Sequence, residues 1–290
     1  MKENGFEGIL YPSNGSKEIV VIVVSGSNGG MGITKQEAAF YDKNGIPSLA
    51  LALFKTKETN KDLDRVPLEY AEHAIRFLKE EGYQRIGIDG MSKGSEFALI
   101  AASMFSDISF VIARVPSYFV SEGLSGSGKS KKPSGTSCWS YHGKQLPYAP
   151  YKSRKFNLLK TIWKEKELHI ITFNRDKDII PESIIPVEKI NGPILLLSSK
   201  HDEVWPSYKS AVYIENRLKE KDFTHFAKHI AYDHMSHAML TELSPILKLV
   251  FITERKHPKE CEEERKKLRE ELISFIQGLN NENIQYIQKI

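Results

Sequence analysis

A serine flanked by glycines, Gly90-Met91-Ser92-Lys93-Gly94, follows the apolar run Ile86 to Asp89 and precedes a second one, Phe97 to Phe105. That order reads as a strand, a sharp turn and a helix. A serine on such a turn has strained backbone, needs neighbours without side chains at Gly90 and Gly94, and projects its hydroxyl from the top of a sheet. The segment is a nucleophile elbow with Ser92 as the nucleophile. A serine hydroxyl attacks poorly unless an imidazole removes its proton, and the imidazole needs a carboxylate that fixes its tautomer and stabilises its charged form. Both partners follow in chain order. Pro193 to Ser198 is a short run of buried-strand type leading into Ser199-Lys200-His201-Asp202-Glu203-Val204-Trp205-Pro206, so Asp202 falls just past a strand end. After the next apolar segment, Phe226 to Tyr232, the loop Asp233-His234-Met235-Ser236-His237 offers His237 as the general base, with His234 as its competitor. Glu203 and Asp233 compete with Asp202; an acid immediately after a strand end and three residues before Trp205 favours Asp202.

The same chemistry needs donors for an oxyanion. One is usually the backbone N–H after the nucleophile, here Lys93, and the other lies in the loop after an early strand. Ser25-Gly26-Ser27-Asn28-Gly29-Gly30 is glycine-rich enough for close backbone approach, and it nominates Ser27, with Asn28 as the alternative. This machinery requires no cofactor and no metal.

The elements that must position these residues alternate strand and helix, which predicts a mostly parallel sheet with helices on both faces. Strands are expected at Glu18 to Ser25, Ser48 to Leu53, Ile86 to Asp89, Ser109 to Val115, Pro193 to Ser198 and Phe226 to Tyr232. Helices are expected at Thr34 to Lys43, Pro67 to Glu81, Phe97 to Phe105 and Ser207 to Lys219. Pro116 to Asn191 is too long for a simple crossover and reads as an insertion over the site. Cys261 to Ile276 sets Leu268, Leu272 and Phe275 on one face of a docked surface helix, with its charges on a solvated face. The expectation is one domain over residues 1–290, with 116–191 inserted in it.

Composition narrows the classes further. A chain of 290 residues with 40% hydrophobic content can bury one large core without disulfides. Cys138 and Cys261 lie far apart without metal-ligand spacing, and Met1-Lys2-Glu3-Asn4-Gly5 carries no apolar signal region, which points to a reducing, cytoplasmic setting. No run approaches the roughly 18 apolar residues of a membrane span. A net charge of +4 without a clustered basic stripe argues against a nucleic-acid partner. Basic residues do gather at Lys129 to Lys132 and Lys152 to Lys160, either as solvated loop faces or as contacts for substrate phosphates.

Two further patterns are weaker. Gly123-Leu124-Ser125-Gly126-Ser127-Gly128-Lys129-Ser130 fits the P-loop spacing, but Pro133 and Gly135 stand where its helix should run. Ser25-Gly26 with Gly30 and Gly32, together with Tyr148 and Lys152, resembles a short-chain dehydrogenase, a nicotinamide-dependent alternative. Pro150 between Tyr148 and Lys152 opposes the helix that pairing needs.

Several separate stretches in one order resemble the acyl-CoA thioesterase and bile acid-CoA:amino acid N-acyltransferase family. The likeness is to its C-terminal catalytic domain, an α/β-hydrolase related to dienelactone hydrolase. These stretches are the elbow from Gly90 to Glu96, Trp139-Ser140-Tyr141-His142-Gly143-Lys144-Gln145-Leu146-Pro147, Ile185-Pro186-Val187-Glu188-Lys189-Ile190 with Gly192-Pro193, Asp202 with Trp205, and Tyr232 five residues before His237. That last offset favours His237 over His234. The resemblance implies an α/β class fold and a Ser92, His237, Asp202 triad working through an acyl-enzyme on an acyl-CoA thioester. Animal members carry an additional β-sandwich domain, whereas here only a short stretch precedes the first expected strand, and the acyl specificity stays open. The nucleophile of the conjugating N-acyltransferases is cysteine; serine goes with thioester hydrolysis. A carboxylesterase or lactone hydrolase using the same residues on an oxygen ester is the alternative, since fold and triad do not select the leaving group. A binding protein on a hydrolase scaffold is the third class, and the complete triad argues against it. The partner is a small-molecule thioester or ester, and the oligomeric state stays unassigned.

Overall fold

The computed structural model describes residues 4–126, 132–151 and 179–280. Its centre is a seven-stranded sheet, six of whose strands are the apolar runs expected from the sequence. In chain order the strands are β1 (Gly8–Tyr11), β2 (Ile19–Val24), β3 (Ser48–Leu51), β4 (Val66–Pro67), β5 (Arg85–Met91), β6 (Ile108–Arg114), β7 (Glu122–Ser125), β8 (Lys132–Ser137), β9 (Trp139–Tyr141), β10 (Lys144–Gln145), β11 (Ile194–Ser199) and β12 (Ala227–Tyr232). The central sheet has the order β1-β3-β2-β5-β6-β11-β12. It is parallel except at β1, which pairs antiparallel with β3 from Gly8 opposite Leu51 to Tyr11 opposite Ser48.

All six residues of β2, Ile-Val-Val-Ile-Val-Val, are buried, as both faces of a parallel sheet require. Val20, Ile22 and Val24 point to one side, into a core that also holds Ala71, Ile75, Phe97 and Ile214; Ile19, Val21 and Val23 point to the other, into a core with Tyr41, Leu268 and Leu272. Burial of each such side chain contributes about 1.5–3 kcal/mol, so the two cores hold helices against both faces. These are α1 (Gly32–Lys43) and α7 (Pro258–Asn280) on one side, and α2 (Glu69–Glu80), α3 (Lys93–Met104) and α4 (Ser207–Glu220) on the other. Two short helices, α5 (Pro245–Val250) and α6 (Ile252–Lys256), precede α7. Among the described residues no helix is long and apolar enough to cross a membrane.

Three expectations are corrected. The first strand is Gly8–Tyr11, not Glu18 to Ser25; at four residues, Gly-Ile-Leu-Tyr, on a sheet edge, its apolar run is too short to stand out in the sequence. Helix α3 begins at Lys93, one residue after Ser92, because Ser95 and Glu96 already donate to the Ser92 carbonyl at 2.9 and 3.2 Å. The charge run of α7 is not wholly solvated. Arg265 is buried, pairs with Glu254 at 2.6 Å and donates to the Leu240 carbonyl at 2.8 Å.

Within 116–191, β7 and β8 pair antiparallel, and β9 lies between β10 and β4 in a small sheet of its own. Trp139 of β9 packs edge-on against Phe97 of α3, ring centroids 5.2 Å apart. The described part of this segment is thus anchored on the elbow helix. Gly123, Leu124 and Ser125 lie in strand β7, and Lys132–Ser137, where the helix of a P-loop would run, is strand β8. Residues 127–131 and 152–160, which hold most of both basic clusters, lie outside the described residues, as does Lys152 of the dehydrogenase-like pair. Tyr148 of that pair donates its hydroxyl to the Gly135 carbonyl at 2.8 Å, within the 116–191 segment.

Candidate active site

Ser92 sits between β5 and α3 with φ 59° and ψ −122°, outside the conformations a serine normally adopts. Strain of this kind persists only where the surroundings over-determine it. Its N–H donates to the carbonyl of Arg114 on the neighbouring strand at 2.9 Å, and its own carbonyl starts α3. A methyl on Gly90 would lie 2.1 Å from the Gly94 carbonyl oxygen, so the turn closes only with glycine there.

The structure brings Ser92, His237 and Asp202 together from three strand ends. Ser92 Oγ lies 2.8 Å from His237 Nε2, and His237 Nδ1 lies 2.9 Å from each oxygen of Asp202. All three are buried. Asp202 Oδ1 also accepts the N–H groups of Val204 and Trp205 at 2.9 and 3.1 Å, which fixes the carboxylate in its loop. A carboxylate facing Nδ1 holds the proton there and leaves Nε2 to accept the serine proton. Trp205 locks the imidazole from the side. Its ring meets that of His237 edge-on at 4.9 Å, and its indole N–H donates to the Val115 carbonyl at 3.1 Å.

The competitors occupy other places. His234 faces Glu264, with Nδ1 3.4 Å from Oε1. Asp233 pairs with Lys200 at 2.7 Å on the surface, where the ammonium holds its carboxyl below the usual range. Glu203 accepts the Thr253 N–H at 3.1 Å and the His237 N–H at 3.5 Å, and burial foremost raises its carboxyl above the usual range. It braces the histidine loop through backbone while Asp202 meets the ring. Cys138 is no rival nucleophile, since burial pushes its thiol up to about 12.

The loop after β2 comes against Ser92 at Gly26. A methyl added there would lie 2.8 Å from Ser92 Cβ and 3.2 Å from Oγ, which places the chain entering Ser27 beside the Ser92 hydroxyl. Asn28 turns its amide back to the Gly29 carbonyl at 2.9 Å. Gly26→Ala should therefore slow labelling of Ser92 by a fluorophosphonate at least about tenfold, with the fold retained. An unaltered rate would separate this loop from the chemistry.

The side chain of Lys93 was not anticipated from sequence. It turns away from the elbow surface into a buried cluster, donating to Glu96 Oε2 at 3.1 Å and to the Ser121 hydroxyl. Glu96 Oε1 accepts the Ser121 N–H at 2.9 Å and the Trp139 indole N–H at 2.8 Å. Burial opposes the ammonium, but its neighbours Cys138, Glu96 and Tyr151 outweigh that and hold its pKa well above the usual lysine value. The residue whose N–H is nominated for the oxyanion is thereby tied to the segment that carries Ser121 and Trp139. The run Lys93-Gly94-Ser95-Glu96, with two ionisable groups at the start of an otherwise apolar helix, was the signal available for it.

A parallel sheet with one antiparallel edge, covered on both faces and carrying a strained serine elbow, defines the α/β-hydrolase class. Residues 66–257, more than half of the chain, match the family described as BAAT / Acyl-CoA thioester hydrolase C terminal, and the chain belongs to that family. Peroxisomal succinyl-coenzyme A thioesterase from Mus musculus is 26% identical over 196 residues, covering 66% of this chain and 42% of the relative. Mitochondrial acyl-coenzyme A thioesterase 2 from the same organism is 23% identical over 193 residues, covering 66% and 39%. The chain thus spans less than half the length of these relatives. Among solved structures, ferulic acid-bound Est1E from Butyrivibrio proteoclasticus aligns with a TM-score of 0.54 at 14% identity, covering 94% of this chain and 96% of Est1E, a likeness of fold.

Proposed function

We propose that this chain is a serine hydrolase that cleaves acyl-CoA thioesters through an acyl-enzyme. The observation that carries the reading is the unbroken line Ser92 Oγ, His237 Nε2, His237 Nδ1, Asp202 at hydrogen-bond distances, in a chain of the thioester hydrolase family. In this reading His237 takes the hydroxyl proton as Ser92 attacks the thioester carbonyl. The N–H groups of Lys93 and Ser27 receive the oxyanion. Collapse of the tetrahedral intermediate expels the CoA thiolate, which takes the proton from the imidazolium. Water, deprotonated by His237, then attacks the acyl-serine, and the carboxylic acid leaves as Ser92 recovers its proton. Serine rather than cysteine at position 92 favours water over an amine acceptor.

We propose further that residues 1–290 form one α/β-hydrolase domain with 116–191 inserted in it. Support comes from a sheet that runs from Gly8 to Tyr232 and an enclosing helix that reaches Asn280. The free, buried Cys138 and Cys261 favour a reducing compartment, and we place the protein in the cytoplasm.

The test is thiol release from short- to long-chain acyl-CoA esters beside matched p-nitrophenyl esters, with and without a fluorophosphonate. Turnover that prefers CoA esters and is blocked by the reagent is the expected result. Cleavage of nitrophenyl esters alone would redirect the reading to carboxylesters and lactones.

A further inference from the structure

We propose that Arg114 is a positioning residue that fixes the nucleophile and the general base relative to each other, with Glu37, Asp89 and Thr241 completing the strut. The inference rests on the roles proposed above for Ser92 and His237. Arg114 ends β6, and it is its carbonyl that accepts the Ser92 N–H at 2.9 Å. Its guanidinium reaches two further parts of the site. Nε donates to Asp89 Oδ1 at 2.9 Å and Nη2 to Asp89 Oδ2, gripping the nucleophile strand three residues before Ser92. Nη1 donates to Glu37 Oε2 at 2.5 Å and to the Met239 carbonyl at 3.3 Å, two residues after His237. Glu37, on α1, receives the Thr241 N–H at 3.2 Å and the Thr241 hydroxyl at 3.0 Å. Asp89 takes a further hydrogen bond from the Tyr41 hydroxyl at 2.7 Å.

All four members are at most 3% exposed. Burying one cation with two carboxylates is costly, and apolar residues of similar volume often serve stability as well or better. What apolar residues cannot supply is direction. A planar, bidentate guanidinium holds its partners in one geometry, and here the partners are the strand before the nucleophile and the chain leaving the base. The elbow and the histidine loop share no covalent neighbour, so the distance between Ser92 Oγ and His237 Nε2 depends on such cross-links. Misplacement by about 1 Å at a reacting pair can cost about a hundredfold in rate.

The experiment is the rate of Ser92 phosphonylation by a fluorophosphonate, taken as a pH profile at temperatures where circular dichroism shows each variant folded. The variants are Thr241→Val, Glu37→Gln, and Glu37→Gln, Asp89→Asn and Arg114→Met combined, which removes all three charges together. The plateau rate should fall about threefold, tenfold and a hundredfold respectively, with the profile midpoint unmoved. Plateau rates equal to wild type in the folded variants overturn the proposal. So does a displaced midpoint with an unchanged plateau, which would make the cluster an electrostatic device. If the triple variant does not fold, Thr241→Val and Glu37→Gln decide the matter. Wild type that resists the reagent defeats the hydrolase reading itself, which distinguishes that failure from the strut's.

Discussion

Ser92→Ala should lower turnover of thioester or ester substrates by about 10⁵–10⁶-fold, the scale seen when a serine nucleophile with a complete relay is removed. On the proposed mechanism the loss falls on kcat, because its oxyanion donors and substrate contacts stay in place, and such groups alone sustain about 10³–10⁴-fold acceleration over water. The fold should tolerate the change. Ser92 is held by its backbone, through the N–H to Arg114 and the carbonyl that opens α3, and both bonds survive the substitution. The side chain at φ 59° is strained in serine and alanine alike, so the melting temperature should move little. Steady-state kinetics with a thermal melt check this. A variant that retains more than a tenth of wild-type turnover would require another nucleophile. The buried Cys138, with its thiol pushed up to about 12, does not supply one.

The meeting of Ser92, Asp202 and His237 was legible because each follows an apolar run at a strand end, and a parallel sheet collects such ends along one edge. Sheet order was not legible: nothing in Ile19–Val24 says that β5 and β3 flank it. The strut lay in view without being read. Asp89 interrupts the otherwise apolar Ile86-Gly87-Ile88 run, and Glu37 sits between Gln36 and Ala38 on a helix whose other buried positions are Thr34, Ala38 and Tyr41. A charge inside a buried strand needs a partner. Its partner Arg114 is 25 residues away and Thr241 lies 204 from Glu37, separations that only the fold closes. The same holds for Lys93. Read from sequence it supplied a backbone N–H, whereas its side chain depends on Ser121 and Trp139, which lie 28 and 46 residues further along the chain in a stretch with little helical or strand periodicity.

Asp202→Asn should cost about 10⁴-fold in kcat with the fold intact, and the hydrogen bonds around the carboxylate say why. Oδ1 already accepts the N–H groups of Val204 and Trp205. An asparagine must keep its carbonyl oxygen toward those two donors, because its amide nitrogen cannot accept them. The NH₂ group is then turned to His237 Nδ1. An imidazole facing a donor at Nδ1 carries its own proton on Nε2, so it presents N–H to Ser92 where an acceptor is required. The ring stays in place, held by Trp205, but in the wrong tautomer. Glu203→Gln provides the contrast. Glu203 accepts backbone N–H groups of His237 and Thr253 and does not hydrogen-bond the imidazole, so its loss should cost no more than about tenfold, through looser placement of the loop. Kinetics of the two variants side by side, with the rate of Ser92 phosphonylation as a substrate-free measure, separate the acid from its neighbour. A larger loss at Glu203 than at Asp202 would reverse the assignment and leave the two 2.9 Å contacts of Asp202 without a catalytic purpose.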